Sequence, residues 1–119
     1  MRDVRAAAIP AALCAMAAVA GCGAIGGGRH SEAKHLIQAR CGSCHEVPGV
    51  PRAVGNVGPS LAGMGQRQVI AGHFPNDRET LIRWILHPQQ MLPGNAMPDS
   101  DLTPDQAGKI ADYLHSLDK

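Results

Sequence analysis

Cys41-Gly42-Ser43-Cys44-His45 places two thiols two residues apart, with an imidazole directly after the second. Each thiol can add across one vinyl group of a haem to form a thioether. The two-residue spacer matches the separation of the vinyls, and the histidine then falls beneath the iron as an axial ligand. A structural zinc site calls for four ligands, and no second cysteine pair or paired-histidine motif follows here. A thioredoxin-like dithiol sits near strand-helix-strand alternation, which the segments around Cys41 lack. The pattern therefore predicts one covalently attached haem c held by Cys41 and Cys44, with His45 as an iron ligand.

The elements that carry this motif begin with an export layout. Arg2 and Arg5 precede the apolar stretch Ala6 to Ala20, which ends in small residues. Pro10 interrupts the stretch, which falls short of the roughly 20 apolar residues needed to span a bilayer. Val19-Ala20-Gly21-Cys22 resembles the lipobox of bacterial lipoproteins, which implies that residues 1–21 are removed and that Cys22 is the lipidated first residue. More than one acyl chain there suffices for stable anchoring. Cys14 goes with the signal, so no cysteine remains for a disulfide. The expected location is the bacterial periplasmic space, tethered to a membrane by lipid.

Residues 22–31 include the run Gly-Ala-Ile-Gly-Gly-Gly, read as a flexible linker, with His30 solvated within it. Residues 32–119 are left for a single small domain. Its aromatic residues are Phe74, Trp84 and Tyr113, so the haem is expected to act as core and cross-link together. The haem-free chain should lack the near-ultraviolet dichroism of a packed native state, and a native-like signal without haem would contradict this. Losing residues 1–21 removes Arg2, Arg5 and Asp3, which leaves the side-chain charge balanced. That excludes an electrostatic footprint for nucleic acid. Lys34, Lys109 and Lys119 are the only lysines, so docking to redox partners should be weakly steered by charge.

An all-α fold with long loops is predicted. Ser31 reads as the N-cap of a helix over Glu32 to Arg40, with Ala33, Leu36 and Ile37 at helical spacing. Gly42, Pro48, Pro51 and Gly55 predict turns up to about residue 60, and the stretch Val50 to Val57 receives no role. Asp77 caps a helix from Arg78 to about His87, closed by Pro88. Thr103-Pro104-Asp105-Gln106 has capping-box spacing and opens a last helix through Leu117. No strand alternation stands out.

With these elements in place, the chain from about Ser31 to Leu117 resembles the monohaem class I cytochromes c. The resemblance is strong to the cytochrome c domains fused to some bacterial cytochrome c oxidase subunits II. Gly58-Pro59-Ser60-Leu61 is similar to the family's Gly-Pro-x-Leu segment, which implies that the Pro59 carbonyl accepts a hydrogen bond from His45. The resemblance implies that Arg67 faces a haem propionate, Trp84 faces the haem, Asn95 polarises the ligand region and Met97 is the distal axial ligand. Met64, Met91, His73 and His87 are the competing distal candidates. Ala33 and Ile37 stand where the family usually places a glycine and an aromatic, so Tyr113 is expected to meet a smaller partner and a looser helix crossing.

His45/Met97 ligation implies a relatively high-potential electron carrier rather than an enzyme, because a thioether ligand raises the haem potential. The expected role is electron transfer between respiratory-chain partners at the membrane surface, such as a cytochrome oxidase, either as a monomeric shuttle or within a complex. A haem enzyme or gas sensor with a labile distal ligand is the alternative.

Overall fold

The computed structural model describes residues 28–118. The signal, Cys14, Cys22 and most of the linker lie outside the described residues. Among the described residues four helices form in chain order, α1 (Ser31–Arg40), α2 (Arg78–Leu86), α3 (Pro88–Met91) and α4 (Pro104–His115). A 3-10 turn at Met64–Gln66 and a small hairpin of β1 (Val69–Ile70) and β2 (Phe74–Pro75) stand between α1 and α2.

α4 is the centre of the packing, with α1 and α2 both laid against it. Its apolar stripe of Ala107, Ile110, Ala111 and Leu114 is buried, as are Ala33 and Ile37 of α1 and Leu81 and Ile85 of α2. Spacings of three and four residues put these side chains on one face of each helix. The helix is started by the predicted capping box: the Thr103 hydroxyl accepts from Gln106 N–H at 3.2 Å, and the Gln106 carboxamide accepts from Thr103 N–H at 2.9 Å. Thr103→Ala is expected to cost about 1 kcal/mol of stability, read as a lower urea midpoint of the haem-loaded protein with an unchanged slope.

α2 begins as predicted. The Asp77 carboxylate accepts from the Thr80 backbone N–H and from the Thr80 hydroxyl, each at 2.8 Å. These two bonds hold the carboxyl below the usual range of an aspartate. Arg78 makes a two-pronged ion pair with Asp112 of α4, at 2.7 and 3.1 Å. Pro88 does close α2, but it also opens α3 as its first residue, where its missing N–H and fixed φ suit a helix start.

The structure corrects the start of α1. Ser31 is inside the helix, and His30 takes the cap position at φ 73° with no side-chain cap bond. Ser31 N–H instead closes a turn onto the Gly28 carbonyl at 2.9 Å. His30 is therefore no solvated tether residue; its ring packs edge-on against Tyr113 with centroids 5.5 Å apart. Lys34 Nζ sits 5.6 Å above the same ring, and the phenol hydroxyl donates to the Pro48 carbonyl. Tyr113 is thus flanked by a histidine and a lysine.

The hairpin also departs from expectation. Ile70 pairs with Phe74 and Val69 with Pro75, and strands of two residues are too short to show alternation in sequence. Among the described residues no helix is long and apolar enough to cross a membrane.

Candidate haem-attachment site

α1 delivers the two thiols by the way it ends. The N–H groups of Cys41 and Gly42 both reach the Ile37 carbonyl, at 2.8 and 2.9 Å, and His45 N–H turns back to the Cys41 carbonyl at 2.9 Å. Val50 to Val57 braces this turn, a role that the sequence does not reveal. Gly55 N–H donates to the Gly42 carbonyl at 3.0 Å, and Glu46 bridges to Val54. The two segments approach so closely that a Cβ on Gly42 would lie 2.9 Å from Ala53 Cα, and one on Gly55 would lie 2.6 Å from Cys44 carbonyl carbon. Glycine is required at both positions because backbone fills the space.

His45 Nδ1 is 2.7 Å from the Pro59 carbonyl oxygen. A carbonyl can only accept, so Nδ1 carries a proton, and in the neutral ring this leaves the Nε2 lone pair free, which is the tautomer an iron ligand needs. Gly58 makes this approach feasible. Its N–H donates to the Cys44 carbonyl at 2.7 Å, and its missing side chain leaves the room that the imidazole ring occupies.

A mostly apolar cleft of about 690 Å³ opens beside this segment, and its lining includes Cys41, Cys44, His45, Pro59, Arg67, Trp84, Asn95 and Met97. All the candidate haem-contacting residues thus lie around one cavity. Of the competing distal candidates, Met64 lines the cleft too, but it is 3% exposed and belongs to the core; Met91, His73 and His87 stand outside the lining. Trp84 also packs its ring against Phe74, with centroids 5.9 Å apart.

The loop that bears Met97 is held by side-chain bonds of Asn95 and Gln89 to backbone groups. Asn95 Nδ2 donates to the carbonyls of Pro88 and Leu92, at 3.0 and 2.7 Å, and its Oδ1 accepts from Met97 N–H at 2.7 Å. Asn95 therefore shapes the loop as well as lining the cleft. Gln89 was not singled out from the sequence, yet its Nε2 donates to the carbonyls of Asn95 and Met97, at 2.7 and 2.8 Å. Its Oε1 accepts from Gly94 N–H. Arg67 Nη2 donates to the carbonyls of Ser60 and Ala62, at 2.7 and 3.1 Å.

These residues fit a haem. The cleft is large and apolar, and His45 and Met97 offer nitrogen and sulfur donors from its lining. Burial, with Cys44 nearby, pushes the Cys41 thiol up to about 11. A site that disfavours a thiolate accommodates a neutral thioether. Ser100, another lining residue, has a buried hydroxyl with no protein partner, a polar contact left for the cleft's occupant or for water.

Helices around a covalent-attachment turn, with a histidine and a looped methionine lining the same cleft, define a haem-binding all-α domain. The family model of cytochrome c matches residues 31–118. The chain belongs to the cytochrome c family, has the class I fold and carries one covalently bound haem c. It is 38% identical over 78 residues to cytochrome c oxidase subunit 2 of Alkalihalophilus pseudofirmus, an alignment covering 65% of this chain and 22% of that protein. It is 32% identical over 90 residues to cytochrome c2 iso-2 of Magnetospirillum molischianum, covering 65% of this chain and 90% of the relative. The chain spans 22–25% of the length of the oxidase subunits it matches. The fold is shared with SoxXA from P. pantotrophus, at a TM-score of 0.59 and 16% identity, covering 77% of this chain and 83% of that one.

Proposed function

We propose that this c-type cytochrome carries single electrons between respiratory-chain partners at a membrane surface and performs no substrate chemistry of its own. The observation that carries the reading is the pairing of His45, in its ligand tautomer, with Met97 on a self-supported loop of the same cleft. When bound, the haem supplies the Fe(III)/Fe(II) couple. The chain's own residues do the rest. Cys41 and Cys44 fix the group by thioethers, Pro59 orients the His45 ring, and Trp84 and Asn95 line the cleft around Met97. The Arg67 guanidinium, held at Ser60 and Ala62 by one nitrogen, offers its other donors to a haem propionate. A ligand set kept in both oxidation states limits geometric change and keeps small molecules off the iron, which suits transfer and not catalysis.

Similarity to oxidase subunits 2 supports a respiratory partner, met either as a shuttle or within a complex. Copurification of a stoichiometric partner in detergent distinguishes the two. The test of the carrier reading is an optical spectrum of the haem-loaded protein, oxidised and reduced, with carbon monoxide added to the reduced form. Low-spin bands with no response to carbon monoxide are expected. High-spin bands or ready carbon monoxide binding would put a haem enzyme or gas sensor in its place.

For location, we propose export to the periplasmic space with a lipid anchor on Cys22, resting on the lipobox-like Val19 to Cys22 sequence alone. Cys22→Ser is expected to release the protein from membranes into the soluble fraction. Unchanged association would point to a partner that holds the domain there.

A further inference from the structure

The hydrogen bonds that fix the His45 acceptor continue well outside the cleft. His45 Nδ1 donates to the Pro59 carbonyl at 2.7 Å. The carbonyls of Ser60 and Ala62 accept from Arg67 Nη2, so one guanidinium nitrogen pins the turn that carries that acceptor. The backbone of Arg67 is held in turn by Asn76, whose Nδ2 donates to the carbonyls of Arg67 and Met64, at 2.9 and 2.8 Å. Among the described residues, no other side chain donates to a carbonyl of residues 64–67. Asn76 Oδ1 then meets His115 Nε2, in the last turn of α4, at 2.9 Å. Because Nδ2 of the amide faces two carbonyls, its oxygen must be the acceptor and His115 the donor. The same turn is pressed onto the end of α4, with Gly65 N–H bonded to the Leu117 carbonyl at 2.7 Å. Asn76 is not among the residues that line the cleft.

We propose that Asn76, oriented by His115, is a positioning residue for the proximal iron ligand. It holds the Met64–Arg67 turn so that Arg67 keeps the Ser60 to Ala62 backbone, and with it the Pro59 carbonyl, in register with His45. This rests on the carrier reading in so far as His45 ligates the iron. A hydrogen bond to the distant ring nitrogen raises the basicity of a ligating histidine, so a looser acceptor makes His45 a weaker donor and moves the midpoint potential upward.

The test uses the haem-loaded full chain with Asn76→Leu, a neutral substitution of similar shape that removes all three side-chain bonds. Two quantities are read: hydrogen exchange of His45 Nδ1–H by NMR in the reduced protein, and the midpoint potential. Exchange is expected to quicken about tenfold through easier local opening, with an upward shift in potential and an unchanged low-spin spectrum. Glu32→Gln serves as the control, since it weakens the α1–α4 ion pair with Lys109 without touching this turn, and it is expected to change neither quantity. His115→Ala should move both in the direction of Asn76→Leu by a smaller amount, and it carries the test if Asn76→Leu fails to mature. Unchanged exchange and potential, or an equal change in Glu32→Gln, would overturn the proposal. High-spin or carbon monoxide-binding parent protein would overturn the carrier reading instead, while the exchange comparison would still report on the His45 acceptor.

Discussion

Gly58→Ala is expected to disable the proximal side of the site, although it adds one methyl group and no charge. A Cβ at this position would overlap His45 Cε1 and lie 2.7 Å from Nδ1 and 3.0 Å from Nε2. Neither side can yield cheaply. The ring is held by its bond to Pro59, and the Gly58 backbone is held by its own bond to the Cys44 carbonyl. The methyl group must push the imidazole off its acceptor or pull the 58–59 backbone away from the attachment turn. Overpacking of this kind costs about 1–3 kcal/mol, and a polar group left without its partner adds about 1–3 kcal/mol. A total loss of about 3 kcal/mol is expected in denaturant unfolding of the haem-loaded protein, with high-spin bands from a displaced His45. Gly72→Ala is the comparison, since a Cβ there meets nothing within 4 Å and the only penalty is its φ of +71°, worth about 1–2 kcal/mol. Equal behaviour of the two variants would show that Gly58 matters for chain conformation and not for the room it gives His45.

The contrast between those two glycines shows which parts of this molecule can be read in advance. Caps and stripes are local: Asp77 finds Thr80 three residues on, and Thr103 finds Gln106, so the starts of α2 and α4 follow from neighbours in the chain. The attachment motif is local as well, and its bond to Pro59 is legible because the Gly-Pro-Ser-Leu segment resembles one that the family uses. Asn76 has no such signature. Its partners are Met64, Arg67 and His115, brought together only when the end of α4 packs against the Met64–Gln66 turn. Val50 to Val57 reads as featureless loop for the same reason, since its work is done on Gly42, Ser43 and Cys44. His30 follows a run of glycines and reads as tether until Tyr113 is placed beside it. Gln89 is a different case: its side-chain bonds reach only to residues 94–97, but a glutamine carries no pattern that distinguishes a loop clamp from a solvated side chain.

Gln89 and Asn95 also determine what removal of Met97, the proposed distal ligand, should do. Their bonds to residue 97 go to its N–H and its carbonyl, and none uses the methionine side chain. Met97→Ala should therefore leave the loop in place and remove only the thioether. The core of Ile37, Leu81 and Ile110 is untouched, so folding and haem attachment should survive. With the proposed ligation the iron loses its soft neutral ligand, and the potential is expected to fall by a sizeable part of the roughly 0.8 V over which axial ligands set haem potentials. The weak near-infrared band of methionine-ligated ferric haem should vanish, and the reduced protein should take up carbon monoxide. Met64→Leu, which keeps an apolar side chain of similar volume at the other lining methionine, is expected to retain the band and to lose less than about 1.5 kcal/mol of stability. If instead the band survives Met97→Ala and disappears in Met64→Leu, the distal ligand is the buried core methionine, and the polar clamp of Asn95 and Gln89 would be holding a loop that does not reach the iron.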